Sequence, residues 1–237
     1  MNHGGAIGPS GSLGLIVRRG PGQIIEGNEW PSDLGLREIV KHGLPQHGLH
    51  PEVNEWRRRN ARHLQRRVRK VLLARRLKLP SFYGALFLEK YDGRKCEVLP
   101  LGLASLAVVT TAGVGFIVDA FSNAVELEAM NFHGFGTGGS AEAVGNTGLT
   151  TELTTQYATD NTRPTGTQSE NGANVYRTVA TLDPDADVAI TEHGIFSQAA
   201  TGGGVLLDRT LFGAVNLTGA AGDTLQATYD FTVTAGS

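Results

Sequence analysis

Glu192 and Asp208 are the two acidic residues of this sequence that come nearest to a catalytic pair. Glycosidases place two carboxylates on either side of the scissile bond, and the separation of the carboxylates decides the stereochemical outcome. Nothing in the sequence sets that separation for Glu192 and Asp208, and no surrounding motif supports the pair. We therefore assign no catalytic residues and expect a protein that is not an enzyme.

A glycine-rich stretch, Gly134–Gly139, reads Gly-Phe-Gly-Thr-Gly-Gly and matches the spacing of a dinucleotide-binding loop. That loop needs a helix directly after its glycines, because the helix amino terminus holds the pyrophosphate. Residues 140–145 follow, and they leave no room for a long helix. Glu142 also stands where a nucleophile elbow around Ser140 would need glycine. The pattern therefore predicts a glycine-rich loop without a nucleotide cofactor.

Two groups of residues have the chemistry to bind a cation. They are three histidines in a Gly/Pro segment and an alternating acidic run, namely His42, His47 and His50, and Asp183, Asp185 and Asp187. An EF-hand loop starting at the first aspartate would need glycine at position 6 and glutamate at position 12, where this chain has Val188 and Gly194. We predict a polar turn over 183–187 and leave open whether it binds a cation. No metal or other cofactor is expected.

Cys96 is the only cysteine, which excludes an intrachain disulfide and a cysteine zinc cluster. We interpret it as a small buried side chain in a strand. His133 and His193 each precede a glycine at an expected strand end or bend, where a hydrogen-bonded structural histidine is the usual case. These residues therefore predict structural roles.

The charge of the chain is divided between its two parts. Residues 1–100 hold 18 Lys and Arg against 9 Asp and Glu, a net charge of +9, whereas residues 101–237 hold 3 against 14, a net charge of −11. Such asymmetry favours a basic arm attached to an acidic body. We assign residues 1–80 to an extended basic arm and residues 81–237 to a β-sandwich or jelly-roll body.

The strongest helix signal lies within the arm, at about residues 52–79. Pro51 suits a first helical position, apolar residues recur with a period of 3.6 apart from a gap at Asn60, and Pro80 ends the pattern. The candidate partner-binding residues of the arm are Trp30, Trp56, Arg57, Arg58, Arg59, Arg62, Arg66, Arg67, Arg69 and Lys70. Four readings stay open: the solvated face of a docked helix, or a surface for an acidic protein, for nucleic acid or for a membrane.

Residues 81–237 have the turn residues and the alternating apolar pattern that are typical of a β protein. Asp92-Gly93 predicts a hairpin turn between strands at about 82–89 and 95–99. Further strands are predicted at 124–132, 174–182, 188–196, 205–215 and 224–234, the last with strict alternation and a central position. The uncharged stretch 101–118 is interpreted as two buried strands broken at Ala112-Gly113, and not as a membrane span. Eight or more short strands favour a sandwich or jelly roll.

The carboxyl-terminal half resembles the small β-rich virion structural proteins of tailed bacteriophages. The stretches that carry the resemblance are Phe132–Leu153, Ile190–Phe196, Leu207–Phe212 and Asp223–Thr234. The resemblance covers roughly residues 130–237. It rests on the general sequence pattern of these stretches and includes no catalytic signature. It implies a jelly-roll-like body, often trimeric, with an arm that clasps neighbouring subunits.

The function expected from these observations is mechanical. We expect a capsid decoration (cement) protein of a virion, with the major capsid protein and further copies of itself, as a trimer, as partners. The arm would order on assembly and add contacts between capsid subunits, and residues 1–80 would be dispensable for folding. The alternative is a tail or head-fibre component that binds a host surface; nucleic-acid binding through the basic helix ranks below both, and no membrane partner is expected.

Overall fold

The computed structural model describes residues 33–46, 48, 50–77 and 81–234. Its α-helices are α1 (Asp33–His42), α2 (Pro51–Arg76) and α3 (Thr111–Phe121). Its strands are β1 (Ser81–Asp92), β2 (Glu97–Val109), β3 (Phe132–Gly136), β4 (Thr167–Glu170), β5 (Val175–Leu182), β6 (Val188–Phe196), β7 (Leu206–Leu217) and β8 (Thr224–Thr234). The prediction of a mainly β protein is confirmed.

All eight strands belong to one antiparallel sheet with the order β3-β6-β7-β2-β1-β8-β5-β4, which curls into a half-barrel. The finer prediction of a sandwich or jelly roll is not confirmed, because the strands are joined in this single sheet. Strand β8 lies between β1 and β5, which confirms its predicted central position.

The sheet bends at β2. This strand pairs with β1 along most of its length but with β7 only through Val108 and Val109 at its end. Gly102 has a φ of +82° beside a register shift in the β1–β2 pairing. An irregularity of this kind bends a strand and increases its twist. Strands from both halves of the sheet therefore surround one apolar core, to which Leu88 of β1 and Phe135 of β3 contribute.

Helix α2 packs on this sheet, over β2 and β7, and α1 packs on α2. The side chains that α2 buries include Val53, Leu64, Val68 and Val71, which follow the helical period that the sequence showed. The helix occupies Pro51–Arg76, against the predicted 52–79. The described part of the predicted arm, from residue 33 onward, is thus packed against the body and is not extended away from it.

Two sequence-based interpretations of the following segment were wrong. The stretch 101–118 contains one strand and then helix α3, because Thr110 accepts a hydrogen bond from the Gly113 N–H (2.9 Å) and caps the helix. The stretch 124–132 forms turns and a short 3₁₀ helix at Leu127–Ala129, and β3 begins only at Phe132. Among the described residues, no helix is both long enough and apolar enough to cross a membrane.

The interpretation of Cys96 as a buried strand residue was also wrong. Cys96 is exposed in the turn between β1 and β2 and has a φ of +52°. The predicted hairpin itself is present, with Asp92 opposite Glu97. The Asp92 carboxylate accepts hydrogen bonds from the N–H groups of Arg94 and Lys95, both at 3.1 Å, which stabilise the turn.

Candidate interaction surface on helix α2

Polar side chains fix the inner face of α2 to the backbone of the sheet. Trp56 Nε1 donates a hydrogen bond to the Gly213 carbonyl (2.7 Å). Asn60 donates to the Ala104 carbonyl (2.6 Å) and accepts from the Gly213 N–H (2.9 Å). Gly213 and Asn60 are in direct contact, since an added Cβ at Gly213 would lie 3.4 Å from the Cβ of Asn60, about a van der Waals distance. Asn60, which interrupts the apolar period of the helix, is therefore one of the residues that hydrogen-bond the helix to the sheet.

Two arginines of the helix serve the same purpose. The Arg57 guanidinium is buried and donates to three carbonyls, those of Pro45 (2.7 Å), Pro100 (2.9 Å) and Leu101 (3.1 Å). Arg67 Nε donates to the Leu106 carbonyl (2.8 Å), and burial lowers the pKa of Arg67. The sequence-based assignment of Trp56 and Arg57 to a partner surface is corrected accordingly: both are buried against the chain's own sheet.

The opposite side of α2 is strongly basic. The exposed cations on this side, which we call the arginine face, are Arg58, Arg59, Arg62, Arg66, Arg69 and Lys70. Steps of three and four residues place these side chains along one side of a helix. Glu55 forms ion pairs with Arg58 and Arg59, and both pairs lie in solvent. Trp30, the other predicted contact of the arm, lies outside the described residues.

A cleft of about 250 Å³ lies beside the arginine face, between α2, β7 and the glycine-rich loop. It is lined by Arg59, Asn60, His63, Gly138, Gly139, Thr191, Leu211, Phe212 and Gly213. His63 Nε2 lies 3.2 Å from Glu142 Oε1 and 3.1 Å from Ser105 Oγ. Burial alone would raise the pKa of Glu142, but the bonds from His63 and from the Leu211 N–H hold it at about 2. The segment that follows the glycine-rich loop is therefore linked to α2 through the contact between Glu142 and His63.

Glu192 and Asp208, the pair that the sequence singled out, are both fully buried, and neither lines the cleft. Glu192 lies 2.7 Å from Arg209 and accepts hydrogen bonds from the N–H groups of Gly138 (3.0 Å) and Thr151 (2.8 Å). It therefore fastens the glycine-rich loop over β6. Asp208, the other acidic residue that the sequence singled out, has a different environment.

Asp208 lies inside the sheet. An added Cβ at Gly84 would come within 2.6 Å of Asp208 Oδ2 and within 2.8 Å of Tyr229, so all three residues are closely packed. Burial raises the pKa of Asp208 to about 7. With one carboxylate holding a loop and the other enclosed in the core, the pair does not form a cleft in which a substrate could bind.

His133 and His193 form a buried hydrogen bond of 3.0 Å between β3 and β6. His133 also lies 3.1 Å from Thr178 Oγ1 of β5. Burial lowers the pKa of both histidines, to about 3 for His133. The predicted role as hydrogen-bonded structural histidines is confirmed. Within the part of the chain that the structure describes, no group of three or more His, Cys, Asp or Glu residues is arranged to hold a metal ion, and His47 lies outside that part.

The fold and the surface define a mainly β protein with a docked basic helix. No protein-family model matches the chain, and no curated protein matches it. What the sequence missed is the set of anchors under α2, above all Asn60 and Gly213, for which the interruption of the apolar period was the available signal.

Proposed function

We propose that this protein is a non-enzymatic structural component of a virion, a capsid decoration (cement) protein that attaches through the arginine face of α2. The observation that carries the proposal is the opposed character of the two sides of α2. One side is held by hydrogen bonds to the sheet, and the other presents six exposed cations. Because the helix is already held in place, binding through it does not require its backbone to become ordered, which favours a docking role.

An acidic protein surface fits the arginine face better than nucleic acid does. Residues 101–237 carry a net charge of −11, so a phosphate backbone that reached beyond α2 would be repelled. A protein partner can present a local acidic patch against the helix alone. The resemblance to virion proteins suggests the major capsid protein as that partner and a trimer of this chain as the attached unit.

The buried acids also support a structural role. Glu192 fastens the glycine-rich loop, and Asp208 is enclosed in the core. We also retain as part of this proposal the jelly-roll-like body that the resemblance implies. The curled sheet is similar to a jelly roll in one respect, because its two halves enclose a shared apolar core.

A second candidate function is that of a tail or head-fibre component that binds a host surface. The cleft of about 250 Å³ beside α2 favours it, because its backbone groups and Arg59 could contact a small polar ligand. A screen of surface glycans with the intact protein would support this function if one glycan bound and the binding were lost in Arg59→Ala.

The test of the cement function is charge reversal on the arginine face. Arg62→Glu/Arg66→Glu/Arg69→Glu in the full chain should weaken binding to capsids that lack the protein by roughly tenfold or more, since each exposed contact contributes about 0.2–1 kcal/mol and reversal adds repulsion. The matched control, Arg→Lys at the same three positions, keeps the charge and should bind with near-normal affinity. Equal binding by the glutamate variant would contradict the proposal, and competition by double-stranded DNA would shift it towards nucleic acid.

A further inference from the structure

One end of the sheet carries nearly all the large apolar side chains that the described residues expose. At this end β1 starts, β8 ends and β2 leads into α3, because Ser81 pairs with Thr234 and Gly84 with Ala107. Nine of the ten exposed large apolar side chains lie here, and only Val98 lies at the opposite end. We call this the α3 end of the molecule.

Helix α3 forms the most continuous part of this surface. Val114, Val118 and Phe121 follow one another at steps of four and three residues, and their exposed fractions are 39%, 59% and 87%. Val144, also exposed, adjoins the start of the helix, where its carbonyl accepts a hydrogen bond from the Thr111 N–H (2.7 Å). These four apolar side chains constitute the α3 face. Exposed apolar groups grouped in this way mark a binding surface.

The described chain also begins at the α3 end. Helix α2 runs parallel to β2, since Arg57 binds the Leu101 carbonyl and Arg67 binds the Leu106 carbonyl. Helix α1 runs back along α2: Gly43, after its end, lies against Ala61, while its earlier residue Leu36 belongs to the cluster that contains Val71. Asp33, the first residue of α1, is therefore directed towards the α3 end.

The segment that precedes α1 has the composition to cover the α3 face. Residues 13–25 read Leu-Gly-Leu-Ile-Val-Arg-Arg-Gly-Pro-Gly-Gln-Ile-Ile, and their only charges are Arg18 and Arg19. The only charge on α3 is the exposed Asp119, so an apolar segment with two cations matches the surface in both hydrophobicity and charge. The arginine face, by contrast, would repel it.

We propose that residues 13–25 of the same chain bind across the α3 face. Ile25 is joined to Asp33 by a link of about 26 Å when extended, and residues 13–25 themselves can span about 43 Å, more than the ~16 Å length of an eleven-residue helix such as α3. A tethered segment also has a high effective concentration at its own chain, so it competes well with a second copy. The proposal concerns a surface separate from the arginine face, and it stands or falls independently of the cement function.

Thiol labelling of the full chain tests this proposal. In a C96S background, V118C places a single thiol in the α3 face, and V98C places a matched exposed thiol at the opposite end. We expect a maleimide to label V118C roughly tenfold or more slowly than V98C, because a bound apolar segment contributes at least that factor. Adding Ile16→Asp and Ile24→Asp should restore rapid labelling of V118C and leave V98C unchanged.

Three results would overturn the proposal. The thiols of V118C and V98C would react equally fast if nothing covered the α3 face. Protection of V118C that disappeared on dilution would mean that a second copy covers the face. Protection that persisted in the Ile16→Asp/Ile24→Asp variant would mean that another segment does so. Circular dichroism of each variant would verify that the fold is retained.

Discussion

Asp208 lies within the sheet among Gly84, Tyr229 and Ala107, without contact to solvent. Burial raises its pKa to about 7, although Tyr229 and the charge of Arg67 act in the opposite direction. In an unfolded chain the same carboxyl group titrates near ~3.9. Between about pH 4 and pH 7 the folded protein therefore binds more protons at this position than the unfolded chain does, and ionisation of Asp208 opposes folding.

Asp208→Asn should consequently become more stabilising as the pH rises. The free energy of unfolding of the variant minus that of the wild type should increase from about pH 4 to about pH 7, by up to ~4 kcal/mol, and level off above. Both proteins contain His133 and His193, whose lowered pKa values reduce stability in acid, so their contribution cancels in the difference. Urea unfolding across this range measures the difference, and a difference independent of pH would contradict the prediction.

Arg209 and Glu192 form an ion pair in which both side chains are fully buried. Arg209→Met would leave the Glu192 carboxylate without its cation in the interior, which should lower the free energy of unfolding by about 3–5 kcal/mol. The exposed Arg94 provides the control, since Arg94→Met should change stability by no more than ~0.5 kcal/mol. Chemical denaturation compares the two variants, and losses of equal size would contradict the assigned role of the pair.

At this scale the sequence predicted hydrogen-bonded structural roles for His133 and His193, because each stands beside a glycine near a strand end. It could not predict that Glu192 pairs with Arg209 while Asp208, adjacent to that arginine, is enclosed alone. Asp208 and Arg209 are neighbours in β7, so their side chains point to opposite faces of the strand. Which face meets the glycine-rich loop depends on contacts with residues far away in the sequence, such as the hydrogen bond from Arg209 to Thr150.

At the scale of elements, α2 depends on its anchors to the sheet. Trp56→Ala removes a large buried side chain and its hydrogen bond to the Gly213 carbonyl, so it should lower the free energy of unfolding by about 3–5 kcal/mol. Arg66→Ala, on the exposed side of the same helix, should change it by no more than ~0.5 kcal/mol. Thermal and urea unfolding test the contrast. Similar losses for both variants would mean that the helix is not held by its inner face.

Periodicity in the sequence predicted most elements closely. Helix α2 followed from its 3.6-residue period, and β6 and β8 were predicted with the bounds that the structure has. Helix α3 was missed because the β-branched residues of 108–111 continue the pattern of β2 up to its start. The local signal against a second strand was Thr110, a helix-capping residue whose effect depends on backbone geometry that the sequence does not show.

At the scale of the whole molecule, the basic and acidic parts of the sequence contribute to different places on the surface. The arginine face lies on α2, and the acidic turn at 183–187 lies at the end opposite the α3 end, where β5 ends and β6 begins. The expectation that residues 1–80 could be removed was made without knowledge of the inner face of α2, which is buried against the sheet. A basic sequence on one side of a helix does not reveal that its other side completes the core.

The final prediction concerns two truncations that differ only in α1 and α2. A chain that begins at residue 33 keeps both helices and should fold, with native circular dichroism and a cooperative melting transition. A chain that begins at residue 81 would expose Phe87, Leu103 and Leu106, which α2 covers with Leu64 and Val68. Exposed apolar surface of this extent on an open sheet leads to aggregation. We expect the shorter chain to be insoluble, or to lack near-ultraviolet circular dichroism when solubilised. A soluble, cooperatively melting chain from residue 81 would show that α2 is an accessory of the fold and would restore the assignment of residues 1–80 to an arm.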